Sequence, residues 1–174
     1  HSRKDAVVTT FREILQASHR LSEPETELLL LLADNGRISN AQLAERTGMP
    51  ASTSLSRVTS LREAGVIRGF HTHIDRRSLD LNLQALVSIA LKDQSPHALT
   101  TATREVMKLP HAIAVMKVTG TFHLVAQVHA RDSDELQTEV LNPISRMPFI
   151  ARTDTSLILG HYRRNSFIGE FTEV

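Results

Sequence analysis

The chain has 174 residues, 41% hydrophobic and 22% charged, the proportions of one folded domain or two small ones and not of a disordered chain. It has no cysteine, which excludes disulfide frameworks, thiolate zinc sites, iron–sulfur clusters and cysteine nucleophiles, and no apolar run near the ~18 residues that span a bilayer. Net charge is +1 but uneven: from Gly36 to Arg77 seven arginines stand against three carboxylates, a local +4 that suits a phosphate-bearing partner, although a solvated surface can share that composition. The start, His1-Ser2-Arg3-Lys4, lacks the apolar core of a secretory signal, so a cytoplasmic location is expected.

Residues 1–20 read as a leader, in which Val7, Val8, Phe11, Ile14 and Leu15 form one helical stripe. Ser22-x-x-Glu25 is a capping box opening a core helix through Leu28, Leu29, Leu31 and Leu32, stopped at Asn35-Gly36. Ser39-Asn40-Ala41-Gln42 opens a short helix to about Thr47, and Gly48-Met49-Pro50 forces a turn. Pro50 suits the first position of the next helix, where its missing N–H costs nothing. That helix runs to about Ala64, with Leu55, Val58 and Leu61 expected on one face. Three helices with a tight Gly-containing turn make a helix-turn-helix within residues 21–75.

Val66–Ile74 reads as extended chain and Arg76–Asn82 as a polar linker, leaving 83–174 as a second domain. Its pattern is strand Leu83–Leu91, a helix opened by Ser95-Pro96, strands Ile113–Val118 and Phe122–Val128, a helix capped by Asp132-Ser133, and strand Ile150–Tyr162. That βαββαβ order is ferredoxin-like, so the fold class expected is α+β, a winged-type helix-turn-helix followed by a ferredoxin-like domain.

The helix after Pro50 would enter a DNA major groove. Ser52, Thr53, Ser54 and Ser56 are expected to offer hydroxyls to bases or phosphates, and Arg57 a pair of donors to guanine or a phosphate anchor. Arg37 and Arg68 flank that helix in sequence as further basic contacts. Seven aromatic residues without tryptophan provide no base-stacking platform for single-stranded RNA. His71 and His73, and likewise His123 and His129, are even-numbered spacings apart on predicted strands. Two histidines without a third ligand point to exposed or interfacial side chains and no metal site. Hydrolase, P-loop and zinc-protease motifs are absent, so no catalytic residues are assigned.

Gly36-Arg37-Ile38-Ser39-Asn40-Ala41-Gln42-Leu43-Ala44-Glu45-Arg46, Arg57-Val58 through Leu61, and Glu63-Ala64-Gly65-Val66-Ile67-Arg68-Gly69-Phe70 resemble the helix-turn-helix signature of the Lrp/AsnC (feast/famine) transcription regulators. Val118-Thr119-Gly120 and Ala130-Arg131-Asp132 fall in that family's β-turn-β region, and the resemblance runs from about Leu21 to Tyr162. It implies a DNA-binding regulator, a homodimer joined through second domains or an octamer of four dimers, and an amino acid or related small molecule bound between those domains. No cofactor is implied.

Three departures stand out. Pro50 replaces a capping Ser or Thr, a loss of about 1 kcal/mol. Ser56, Thr59 and Ser60 occupy positions that are often Lys or Arg, which implies a shallower salt dependence. Gly120-Thr121-Phe122-His123 lacks the usual acidic and aromatic pair after the glycine. For the effector, the Gly120 turn offers N–H groups to a carboxylate, Thr119 and Thr121 add hydroxyls, and Phe122 walls the pocket. Asp132, Thr153 or Thr155 would complete it from a neighbouring subunit, unless they serve only as helix cap and strand residues. The alternative reading is a sirohaem decarboxylase-like tetrapyrrole enzyme of the same two-domain plan, for which His123 is the relevant residue.

Overall fold

The computed structural model describes Thr9 and residues 12–14, 21–72, 74–160, 162–164 and 171–173, the last two segments by their backbone alone. Thr9 and residues 12–14 are helical, and the rest of the leader stripe (Val7, Val8, Phe11 and Leu15) lies outside the described residues, as does His73. The chain divides into two units, His1–His73 with Tyr162–Val174, and Ile74–His161. No helix among the described residues is long and apolar enough to cross a membrane.

In the first unit, α1 spans Glu23–Asp34, α2 Asn40–Thr47 and α3 Ala51–Glu63. The Glu25 carboxylate accepts the Ser22 N–H at 2.8 Å and its hydroxyl at 2.7 Å, so the expected box closes at the start of α1. At α2 the Gln42 N–H donates to the Ser39 hydroxyl at 3.2 Å and the Ser39 N–H to the Gln42 side-chain oxygen at 3.1 Å. Gly48 sits at φ +67°, a left-handed conformation that a Cβ would strain, and this lets the chain reverse between α2 and α3. Pro50 precedes α3 as its N-cap, with extended ψ of 145°, and is not its first helical residue. The core is Leu28, Leu43 and Leu61, packed by Ile38, Met49, Val58 and Ile67.

Of the face expected to turn inward on α3, Val58 and Leu61 do so and Leu55 does not. Ser54, Val58 and Leu61, spaced by four and three, point into the core, and Ser54 is fully buried. Leu55, one residue around the helix, is 57% exposed. After α3, Gly65 at φ +72° turns the chain, and the Phe70 ring comes to lie against Gly36, where a Cβ would meet it at 3.2 Å. The segments bearing Arg37 and Arg68 are thereby brought alongside one another.

The second unit holds an antiparallel four-stranded sheet in the order β2-β3-β1-β4, with β1 Leu83–Leu91, β2 Ala112–Lys117, β3 Leu124–Ala130 and β4 Ile150–Leu157. Helix α4, Pro96–Met107, joins β1 to β2. Helix α5 runs through Ser133–Glu135, a π-helical Leu136–Leu141 and Asn142–Ser145. It extends past the expected end at Leu141 because the widened turn precedes Pro143, which has no N–H to return to the preceding turn. One sheet face, with Val87, Ile89, Leu124, Ala126 and Val128, forms a core with Ala102 and Val106 of α4 and Leu136, Val140 and Ile144 of α5. The opposite face carries half-buried Gln84, Leu86, Ser88, Val125, Gln127 and His129.

The last strand is shorter than expected. β4 runs along β1 from Leu91 back to Ala85, and the Ile158 N–H makes a final bond to the Gln84 oxygen at 2.9 Å. β1 starts at Leu83, so the chain beyond has nothing further to pair with. Tyr162–Arg164 instead forms a separate two-stranded ribbon, β5, with β6, Phe171–Glu173.

Candidate nucleic-acid interface and effector turn

The inward face of α3 decides which of its side chains are free. Ser52, Ser56, Thr59 and Glu63 recur at spacings of four, three and four on the side opposite the core, with Ser60 beside them, and all are exposed. Thr53 is also exposed, on the flank. The expected contact Ser54 is not available: it is wholly buried, and its hydroxyl has no hydrogen-bond partner among the described residues. Ser54→Ala is therefore expected to leave DNA affinity unchanged and to raise the unfolding free energy by about 1 kcal/mol, since it removes an unpaired buried hydroxyl and adds helix propensity. Urea denaturation beside a binding titration checks it, and a loss of affinity would return Ser54 to the contact surface.

Two braces fix α3. Asn40, at the start of α2, donates its side-chain N–H to the Ala51 carbonyl at 2.7 Å, tying the two helix N-termini together across the turn. Arg57 reaches α1 and pairs with Glu25 at 3.1 Å. Hydrogen bonds from the Ser22 hydroxyl and N–H, with the Arg57 charge behind them, hold the Glu25 carboxyl below its ordinary range. Arg12 of the leader pairs with Glu23 and Glu27 on the same helix. Arg37 and Arg68 are both exposed. Neither Glu25 nor Asn40 was a sequence-level candidate, because each acts through a residue far along the chain.

In the second unit the Gly120 turn lies between β2 and β3. Gly120 adopts φ +114°, where a side chain is strained, and Thr119 and Thr121 are exposed beside it. The turn is closed beneath by His123, whose carbonyl accepts the Val118 N–H at 3.0 Å and whose N–H donates to the Ile89 oxygen at 2.9 Å. The His123 Nδ1 accepts the Leu91 N–H at 2.9 Å. The Phe122 ring is half-buried with the Arg152 guanidinium 4.9 Å from its centroid, which places a cation beside the turn that the sequence pattern did not suggest.

Of the other expected effector residues, Asp132 and Thr155 lie apart from this turn within one chain. Asp132 stands beyond the far end of β3, roughly 20 Å away at ~3.3 Å per strand residue. There it caps α5, its Oδ1 accepting the Glu135 N–H at 2.8 Å. Thr155 is in mid-strand on β4, paired with Val87, and Thr153 is paired with Ile89.

Near Asp132 the His111 and His129 rings meet edge to face at 6.0 Å, and the His129 N–H donates to the His111 carbonyl at 3.1 Å. Burial pushes the His129 pKa down, with His111 and Arg76 adding to the shift, and its Nδ1 has no hydrogen-bond partner among the described residues. Among the described residues no group of three or more metal-ligating side chains converges.

Comparison with known proteins fits both units. A family model described as winged helix-turn-helix DNA-binding matches residues 21–68, and one for the Lrp/AsnC ligand binding domain matches 84–166. The chain is 35% identical to the HTH-type transcriptional regulator AldR of Mycolicibacterium smegmatis over 82% of its own length and 84% of that protein. It is 30% identical to the leucine-responsive regulatory protein of Rhizobium meliloti, over 78% of this chain and 86% of that one. The structure of E. coli AsnC superposes with a TM-score of 0.73 at 25% identity, covering 81% of this chain and 93% of the other. With a helix-turn-helix unit followed by a four-stranded α+β unit, and with these likenesses across most of its length, the chain belongs to the Lrp/AsnC family of transcriptional regulators.

Proposed function

We propose that the chain binds double-stranded DNA through the outward hydroxyl stripe of α3, with Arg37 and Arg68 as flanking phosphate contacts, and that an amino acid or related small metabolite at the Gly120 turn modulates this binding. The observation that carries the DNA reading is the double bracing of α3 through Asn40 and Glu25, which presents Ser52, Ser56 and Thr59 on a fixed, exposed helix. The effector reading draws on the open Gly120 turn, whose N–H groups and neighbouring threonine hydroxyls suit a carboxylate. It draws also on the 30% identity to a leucine-responsive regulator. Phe122 walls this site.

The half-buried sheet face with Leu86, Val125 and Gln127 suits self-association, as a homodimer or a higher assembly. Asp132 or Thr155 of a second copy would then complete the site. The DNA-binding domain is read as 21–75, the linker as 76–82 and the effector domain as starting at 83. A cytoplasmic location accords with this reading.

Fluorescence polarisation with the duplex upstream of the protein's own gene and a scrambled duplex, at two salt concentrations and with or without mixed amino acids, tests the reading. The expected result is tighter binding to the upstream duplex, a shallow salt slope and a change on adding the mixture. Binding to neither duplex would overturn the DNA reading. A Soret-region titration with sirohaem then examines the tetrapyrrole alternative, which no observation here favours.

A further inference from the structure

The position of Arg57 separates it from the hydroxyl stripe. It follows the buried Ser54 by three residues and precedes the half-buried Val58 by one, so it sits on the flank of α3 that turns toward α1. When a helix lies in the major groove its outward stripe meets base edges, and its flanks meet the phosphate walls. A guanidinium carries five N–H donors in a planar fork. One, on Nη1, goes to the Glu25 Oε1 at 3.1 Å, while the side chain as a whole stays 50% exposed. Glu25 is in turn only 15% exposed, and its second carboxylate oxygen is held by the Ser22 hydroxyl and N–H.

We propose that Glu25 is a positioning residue for DNA binding, holding Arg57 on the flank of α3 so that the free edge of its guanidinium meets a backbone phosphate at the groove wall. The assignment rests on the DNA reading of α3 above. An arginine tethered at one edge loses little further rotamer freedom when it meets phosphate, whereas an untethered one must be ordered on binding. The opposite effect, a carboxylate that merely neutralises Arg57 and weakens its pull on DNA, makes the opposite forecast for removal of Glu25. The sign of one substitution therefore decides between them.

Affinities for the upstream and scrambled duplexes are measured between about 50 and 200 mM salt, the range over which phosphate contacts show. Arg57→Ala is expected to weaken both duplexes alike, by about tenfold at low salt, and to reduce the salt slope by about 0.9, the value for one lost phosphate contact. Glu25→Ala should weaken both by about three- to fivefold with the slope unchanged, because the Arg57 charge remains. Glu25→Gln, whose amide oxygen still accepts from Arg57, should restore affinity, and Glu25→Ala added to Arg57→Ala should have no further effect.

Ser22→Ala separates positioning from folding. It removes a bond from the same capping box and lowers thermal stability, but leaves the ion pair and the affinity intact. Unchanged or tighter binding by Glu25→Ala, or an equal loss in Ser22→Ala, would overturn the assignment while the DNA reading stands. Failure of the unsubstituted chain to bind either duplex would overturn both.

Discussion

Leu28→Ala is expected to unfold the helix-turn-helix unit and abolish DNA binding while the second unit keeps its own melting transition. Leu28 is fully buried on α1 and, among the described residues, shares its core with two other buried leucines, Leu43 and Leu61. A Leu→Ala change at such a site costs about 3–5 kcal/mol, part from lost transfer energy and part from the cavity left behind. The helix-turn-helix stretch itself, residues 21–72, is about 50 residues long and contributes roughly 3–7 kcal/mol at the usual 0.05–0.15 per residue. Little stability would remain, and the loss would fall on the helices that hold α3.

The second unit is insulated by its own core of fourteen buried residues on β1, β3, β4, α4 and α5. Calorimetry is expected to show two transitions, with only the first lowered by Leu28→Ala. Circular dichroism at the working temperature should show loss of part of the helix signal. The half-buried Leu29, replaced in the same way, should cost about 1–2 kcal/mol and leave DNA binding measurable. One transition that moves as a whole would mean that the units unfold together.

What the sequence made legible was local. Ser22, Ser39, Ser95 and Asp132 all stand at helix starts, because a cap depends on its own hydroxyl or carboxylate and on N–H groups two or three residues away. β1 begins and ends where its apolar run does. What was not legible depended on partners distant in the chain. Hydrophobicity favours Leu55 over Ser54 as a core position, but the direction of α3 against α1 and α2 turns the serine inward. The end of β4 is set by the first residue of β1, more than sixty residues earlier, and so could not be read from residues 150–162 themselves.

The candidate site divides in the same way. The hydroxyl positions of α3 were visible as a motif, and three of those named in advance, Ser52, Thr53 and Ser56, are exposed. The Arg57–Glu25 pair joins residues 32 apart, and the Phe122–Arg152 contact joins the turn before β3 to β4, which β1 separates from β3 in the sheet. Only the fold creates these.

Ser56 is where a single charge should move DNA affinity most, and in either direction. It lies at the middle of the outward stripe, four residues after Ser52 and three before Thr59, on a helix whose outward side carries no lysine or arginine. A hydroxyl there is neutral and small, so the affinity of this face rests on shape and hydrogen bonds more than on charge. Ser56→Glu would set an anion against a polyanion in a partly desolvated groove. A loss of at least about 100-fold is expected, equivalent to roughly 2.8 kcal/mol at 1.4 per decade.

Ser56→Arg should do the reverse. It adds one phosphate contact, which raises affinity about tenfold at low salt and steepens the salt slope by about 0.9, with the gain shared equally by upstream and scrambled duplexes. Discrimination between the two duplexes should not improve. Both substitutions are on an exposed helix position and should leave unfolding free energy within about 0.5 kcal/mol, so polarisation titrations report binding and not folding. Equal affinities for the two charge variants would remove the outward face of α3 from the interface. The contact surface would then have to be sought around Arg37 and Arg68, which stand next to Gly36 and near Phe70 in the chain, on either side of the Gly36–Phe70 contact.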